Sequence, residues 1–378
     1  MRPYRFAHFA CHSSNIGDGA IVTGQYRLLN SLAKSSYRPY DLLQSSSWYG
    51  NDSYSRAFLD AVAESADFLL VGGGGLIHGA PRDERAGFAF NVAPSDVARL
   101  AKPVLCHAVG MNCFYGERPA YPERLRDFLG IIRDCADRGH WFSFRDDGSR
   151  ERAEAALDMD LSWADVVTDP GMFVSAQPRE PRLPNPRPRI LVQVAGDRSD
   201  QRYRGGLDRF VLKLANALER LASRLDAELV WAPHLIWDTR VVCDVLERAS
   251  PRLSRFNSDM LPVVRGAGRA SEFFAEYEHA DLVIGMRSHS LIVAAGLGVP
   301  FLAIESHPKV PGFMRSVGLG DLTIPADSAD LDDWLPMRAV EILSQTVAFS
   351  SRLATIRSRA WHHGRETMRR ALDRVVDT

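Results

Sequence analysis

The chain has 378 residues, too many for one ordinary hydrophobic core and enough for two domains. Hydrophobic residues make up 46% and charged residues 25%, so disorder is not the expected state. A formal net charge of −1 excludes a general attraction to nucleic acid, and any binding of anions must come from local sites.

The N-terminal residues Met1–Ala10 lack the long apolar core of a signal peptide. The longest apolar stretch, Leu291–Ile304, is broken by Gly296, Gly298 and Pro300, so it reads as helix, turn and strand instead of a membrane span. Cys11, Cys106, Cys113, Cys135 and Cys243 are odd in number and none has zinc-site spacing; they read as reduced cysteines of a cytoplasmic protein.

In the first half, apolar runs at 6–11, 68–71, 104–109, 141–144 and 166–167 alternate with helical patterns at 20–32, 56–63, 123–137 and 149–157. Strands alternating with helices predict a parallel sheet covered on both faces. Residues 1–177 are expected to form a first Rossmann-like lobe. The stretch Gln177–Arg189 contains five prolines, which remove amide donors and restrict their neighbours, so 178–189 reads as a semi-rigid linker. The alternation then restarts. Strands are predicted at 190–194, 229–232, 282–284 and 301–304. An amphipathic helix carries Leu207, Phe210, Val211, Leu214, Leu218 and Leu221. Residues 190–330 form the second expected lobe and 331–378 a helical C-terminus. The fold class is therefore α/β, with two Rossmann-like lobes whose parallel sheets face each other across a cleft, and ligands are expected at the carboxyl ends of the strands.

Four segments follow predicted strands directly. In Ser13-Ser-Asn15-Ile-Gly17-Asp18, either Asn15 or Asp18 is suited to cap the following helix, and Asp18 is alternatively a general base. The run Gly72–Gly75 exposes backbone amides, and Gly73 and Gly74 are candidates for close ligand approach, against a purely structural turn. Arg145, at the end of Phe142-Ser-Phe-Arg145-Asp146-Asp147, offers a fork for a carboxylate or phosphate, or a local salt bridge to Asp146 or Asp147. The strongest signal is Asp281-Leu-Val-Ile-Gly-Met-Arg287-Ser288-His289. Here a strand ends and a helix begins, so an arginine and a titratable imidazole flank free helix-end amides. Past the next strand, Lys309 is either a further phosphate contact or a solvated lysine.

These motifs, in this order, resemble the polysaccharide pyruvyl transferase family. The matching segments are Asn15-Ile-Gly-Asp18, the strand leading into Gly72–Gly74, Ser143-Phe-Arg145-Asp146, Val167-Thr-Asp169-Pro170, Gly285-Met-Arg287-Ser-His289 and Val299-Pro300 running on to His307-Pro-Lys309-Val310. The resemblance implies a GT-B-like fold and transfer of pyruvate from phosphoenolpyruvate to two hydroxyls of a sugar, forming a cyclic ketal. It implies Arg287 as a donor ligand in an Arg-x-His motif with His289, Arg145 as a first-lobe arginine, and Asp18 as an N-terminal acid. The chemistry suits the residues. The donor's carboxylate and phosphate need arginines and helix-end amides. Its methylene carbon needs a general acid, for which His289 is the natural candidate, and a sugar hydroxyl needs a base, for which Asp18 is placed. No cofactor or metal is expected. The competing reading is a GT-B glycosyltransferase using a nucleotide sugar. Such enzymes often carry a glutamate pair eight positions apart, which is not found near residues 270–310. A non-catalytic binding protein is a third reading, with no need for the histidine. The expected partners are phosphoenolpyruvate and a sugar or glycan acceptor, lipid-linked in one version.

The C-terminal pattern places Leu353, Ile356, Ala360, Met368, Leu372 and Val375 on one helical face, with six arginines elsewhere. A docking helix with a solvated basic face is one reading; contact with anionic lipid at the inner face of the membrane is the other.

Overall fold

The computed structural model describes residues 4–10, 15–33, 40–46, 54–79, 85–175, 187–264 and 267–376. Most of the linker, 178–186, and Cys11 lie outside the described residues. The chain divides into two compact units. The first comprises Met1–Ser14, Ile21–Phe173 and Ala360–Thr378; the second comprises Asn15–Ala20 and Val174–Arg359.

The first unit holds six parallel strands: β1 (Tyr4–Phe9), β2 (Tyr40–Ser46), β3 (Phe68–His78), β4 (Val104–Asn112), β5 (Trp141–Arg145) and β6 (Asp165–Val167), in the order β2-β1-β3-β4-β5-β6. The second holds β7 (Arg189–Gln193), β8 (Glu228–Trp231), β9 (Asn257–Met260), β10 (Leu282–Gly285), β11 (Phe301–Glu305) and β12 (Thr323–Pro325), in the order β12-β11-β10-β7-β8-β9, again all parallel. The central strands are apolar on both faces, as helices covering both sides require: Ile190, Leu191, Val192, Leu282, Val283 and Ile284 are all buried. β2, β9 and β12 carry too little of this signal to stand out in sequence. Each lies at a sheet edge, β9 reads Asn-Ser-Asp-Met, and β12 has three residues.

The Leu207–Leu225 helix buries Phe210, Val211, Leu214, Leu218 and Leu221, the face its periodicity predicts. Helices Leu331–Ser344 and Thr346–Val376 form the C-terminal region. Of the predicted apolar face, Leu353, Ala360, Met368 and Leu372 are buried. The last part of the long helix belongs to the first unit. Its Gly364 lies so close to Phe173 that a Cβ there would come within 2.6 Å of the ring, and Trp361 stacks edge-on against Phe173 at 5.4 Å. Arg352, Arg357, Arg359, Arg370 and Arg374 are exposed. The buried face is what a docking helix requires. Among the described residues, no helix is long and apolar enough to cross a membrane.

The apolar face of the Thr346–Val376 helix should therefore carry measurable stability. Met368 is 1% exposed, and Met368→Ala is expected to cost about 2–5 kcal/mol in urea unfolding. An unchanged unfolding free energy would show that the helix contributes nothing to the fold.

Candidate functional site

In the second sheet the chain leaves β7 for β8 and β9 on one side, then returns to β10 on the other. The carboxyl ends of β7 and β10 therefore form a switch point, where the loops diverge and leave room for a ligand. The residues that follow these two strands are Asp197 and Arg287.

Arg287 is the N-cap of the Ser288–Leu297 helix. Its backbone N–H donates to Gln193 Oε1 at 2.7 Å, which ties the end of β10 to the end of β7. Gln193 is fully buried and also accepts from Met286 N–H at 3.2 Å. Gly285 lets the helix start close to the strand, because a Cβ there would lie 2.2 Å from Ser290 Oγ.

The Arg287 side chain is only 9% exposed and is gripped by two carboxylates. Its Nε donates to Asp238 Oδ2 at 2.9 Å and its Nη2 to Asp238 Oδ1 at 2.5 Å, a fork on one carboxylate. Nη2 also pairs with Asp197 Oδ1. Burial alone would favour a neutral guanidine; Asp238 and Asp197 outweigh it and hold the Arg287 pKa above its ordinary value. Among the described residues no partner is found for Nη1, so its N–H groups remain for a ligand.

Asp238 is itself fully buried. Besides Arg287 it accepts from the backbone N–H groups of Gly196 at 2.9 Å, His234 at 3.0 Å and Leu235 at 3.0 Å. Its charge is thus spread over donors from the ends of β7, β8 and β10. Asp197 is 29% exposed and pairs with Arg202, whose Nη1 reaches Ser306 Oγ at 3.2 Å beyond β11. Burial raises the Asp197 carboxyl, but Arg287 and Arg202 together hold it well below the usual carboxylate range. Two arginines and two aspartates make a charge-neutral quartet.

His289 lies in the first turn of the same helix and is 6% exposed. The first turn of the Ile16–Ala33 helix, grouped with this unit, packs on it: a Cβ on Gly17 would lie 2.6 Å from His289 Nδ1. Asn15 is the cap, its Oδ1 accepting from Gly17 N–H at 3.0 Å. Asp18 is therefore not the cap. It lies one residue beyond Gly17 and is 9% exposed. The fold thus brings the Asn15–Asp18 turn to His289, a meeting of residues far apart in sequence.

Past β11, His307 is buried, and its Nδ1 accepts from Lys309 N–H at 3.2 Å, which leaves the ring proton on Nε2. Lys309 begins the Lys309–Ser316 helix and is half-buried. His234 donates or accepts at Nε2 with Tyr277 Oη at 2.8 Å. Burial, then the charges of Arg287 and His289, push the His234 pKa well below its ordinary value, so it stays neutral and is not an acid at neutral pH.

The first-unit candidates differ from expectation. The glycine run is not a loop after β3 but part of it, and Gly72, Gly73 and Gly74 are buried. A Cβ on Gly72 would lie 2.4 Å from the His107 carbonyl oxygen, and one on Gly73 would lie 2.8 Å from that of Ala108. At Gly72 and Gly73 the space a side chain would need is thus taken by β4, and neither Gly73 nor Gly74 is exposed. Gly72 and Gly74 have φ near +120°, and the Gly72 carbonyl turns to His8 Nε2 at 2.8 Å.

Arg145 is fully buried. Its Nη1 donates to Asp169 Oδ2 at 2.9 Å, and its Nε donates to Asp147 Oδ2 at 3.0 Å. Gly110 makes room for it, since a Cβ there would lie 2.4 Å from Nη2. The salt-bridge alternative describes Arg145 as it stands, with Asp169, from 24 residues away, as the partner that the local reading missed. Asp146 Oδ1 accepts from Asp169 N–H at 3.1 Å. Burial, then the nearby Asp169 carboxylate, pushes the Asp146 carboxyl up to about 7.

Sequence reasoning missed Asp238, Asp197, Gln193 and Arg202. Asp197 was within reach, since it follows β7 within four residues. Asp238 was not, because it lies inside the Ile236–Arg248 helix, in a segment with no motif.

A family model for polysaccharide pyruvyl transferase matches residues 15–308. Among solved structures, UDP-GlcNAc 2-epimerase from Neisseria meningitidis bound to UDP-GlcNAc is similar at 12% identity and a TM-score of 0.56, over 98% of this chain and 99% of that one. The UDP-GlcNAc 2-epimerase from Methanocaldococcus jannaschii is similar at 10% identity and a TM-score of 0.50, over 90% and 92%. The kitacinnamycin glycotransferase is similar at 15% identity and a TM-score of 0.50, over 98% and 100%. At these identities the likeness is one of fold, and the fold is GT-B-like.

Two consequences are measurable. Asp238→Ala strands Arg287 and should cost about 3–5 kcal/mol of stability by denaturant unfolding; a variant as stable as the parent would show that the grip is unimportant. Asp146 gives a pH dependence. The folded state holds its proton more tightly than the unfolded chain, where an aspartate titrates near 4, so stability should fall as pH rises from about 4 to about 7 and then level off. Asp146→Asn keeps the acceptor for Asp169 N–H and should remove this slope, gaining on the parent as pH rises. A parallel pair of stability–pH curves would refute the raised pKa.

Proposed function

This chain belongs to the polysaccharide pyruvyl transferase family, and on that premise we propose that it moves pyruvate from phosphoenolpyruvate onto two hydroxyls of a sugar in a glycan or glycan precursor, releasing phosphate. The observation that carries this reading is the Arg287 fork at the switch point. It is held rigid on one side by Asp238 and Asp197, has Nη1 to spare on the other, and lies two residues from His289 at a helix start. An oxygen of a carboxylate or a phosphate is what the Nη1 N–H groups suit. Because the quartet is neutral, the remaining attraction for an anion comes from the helix-end amides and from Lys309.

In the proposed reaction His289 delivers a proton to the methylene carbon of the donor, which becomes the methyl group, and the adjacent carbon becomes electrophilic. One acceptor hydroxyl adds to that carbon and loses its proton, for which Asp18 is the base. The second hydroxyl then displaces phosphate, which departs with the second proton, and the ketal closes. Atoms and charge balance with no oxidant and no further reactant. Gly17 is a positioning residue here, because a side chain at that point would collide with the imidazole.

The test is phosphate release from phosphoenolpyruvate with a panel of glycan acceptors, together with the mass of the product. Arg287→Lys keeps the charge and spares the buried aspartates, but loses the fork. It should raise the donor KM by roughly tenfold or more, the equivalent of about 1.4 kcal/mol. His289→Gln keeps a hydrogen-bonding side chain without an acid. It should lower kcat by roughly 10²–10⁴-fold with a much smaller change in donor affinity. Near-normal turnover in His289→Gln would remove its acid role. A protein that ignores phosphoenolpyruvate and binds a nucleotide sugar would overturn the whole reading.

A further inference from the structure

Helix Ile236–Arg248 begins immediately after the loop that carries His234 and Leu235 away from β8. Its first two side chains point away from the core: Ile236 is 51% exposed and Trp237 is 63% exposed. The next residue, Asp238, is fully buried on Arg287. The backbone of Trp237 is fixed against the other side of the same site, because a Cβ on Gly196 would lie 1.9 Å from the Trp237 carbonyl oxygen, and Asp197 follows Gly196 directly. An indole left in water at this level forgoes much of the burial energy an aromatic ring normally gains, and exposed apolar groups beside a site mark binding surface. Next to β8, β9 ends in Met260, which is 45% exposed. Met260 thus ends the strand beside the one that leads to Trp237. From β10 to β9 is three strand spacings, roughly 14 Å, room for a short run of sugar rings.

We propose that Trp237, with Ile236 and then Met260 beyond it, is the acceptor subsite, and that its occupant is a saccharide. The inference rests on the reading of the Arg287 site as the donor site. The acceptor must bring two hydroxyls to a carbon held by Arg287, so its ring lies beside that residue. Trp237 directly precedes Asp238, which grips Arg287, so its backbone is held beside that residue. The axial hydrogens of a pyranose form a weakly positive apolar face, which matches the negative face of an indole ring.

The experiment measures steady-state kinetics with phosphoenolpyruvate and a series of methyl hexosides, hexose disaccharides and trisaccharides. Trp237→Ala should raise the KM for productive acceptors by roughly tenfold, with a donor KM within about twofold of the parent. Trp237→Phe should restore most of the acceptor affinity, and both variants should melt with the parent because the side chain is exposed. An unchanged acceptor KM in Trp237→Ala would overturn the proposal, as would an equal rise in both KM values. If the parent does not turn over phosphoenolpyruvate, the donor reading fails on its own. Calorimetry of the same saccharides then decides the subsite: binding by the parent that Trp237→Ala loses supports it, and no binding by the parent overturns it. A dimer of the parent, or its flotation with phosphatidylcholine vesicles, abolished by Trp237→Ala would also overturn it by naming a different occupant.

Discussion

The second unit is organised around one buried carboxylate. Asp238 has no access to water, so its charge is tolerable only if donors surround it. Those donors come from Gly196, His234, Leu235 and Arg287, residues that follow three different strands. Satisfying the carboxylate therefore fixes the loops after β7, β8 and β10 against one another. The same demand fixes the guanidinium, because a fork on a carboxylate has one plane and one direction. The functional group is aimed by the need to neutralise a charge that the fold has buried.

The first unit solves a similar problem in a drier place. Arg145 is fully buried between two aspartates. It organises the ends of β5 and β6, where Asp147 and Asp169 lie, and a third acid nearby, Asp146, holds its proton more tightly than a free carboxyl does. Arg287 differs from Arg145 in keeping 9% exposure, with Nη1 lacking a partner among the described residues.

How far the sequence could be read follows from which interactions are local. The strands at the centre of each sheet are legible because burial on both faces writes a continuous apolar run. β2, β9 and β12 are not, because a peripheral strand is held by backbone pairing that any side chain permits. The Arg287–His289 motif is legible because strand end, arginine, histidine and helix start all fall within a few residues. Its carboxylate partners, 49 and 90 residues away, have no local signature. The glycine run is ambiguous for a related reason: glycine marks close approach, but sequence does not say which atoms approach, and at Gly72 and Gly73 these include the carbonyls of β4.

The neutrality of the Arg202–Asp197–Arg287–Asp238 quartet bears on how discriminating the site is. A cluster whose charges cancel projects little potential beyond the Debye length of about 8 Å at physiological salt, so it does not gather anions from a distance. Recognition is deferred to contact, where the direction of an N–H matters more than the total charge of what arrives. A site of this kind responds to the shape of what reaches it more than to its charge.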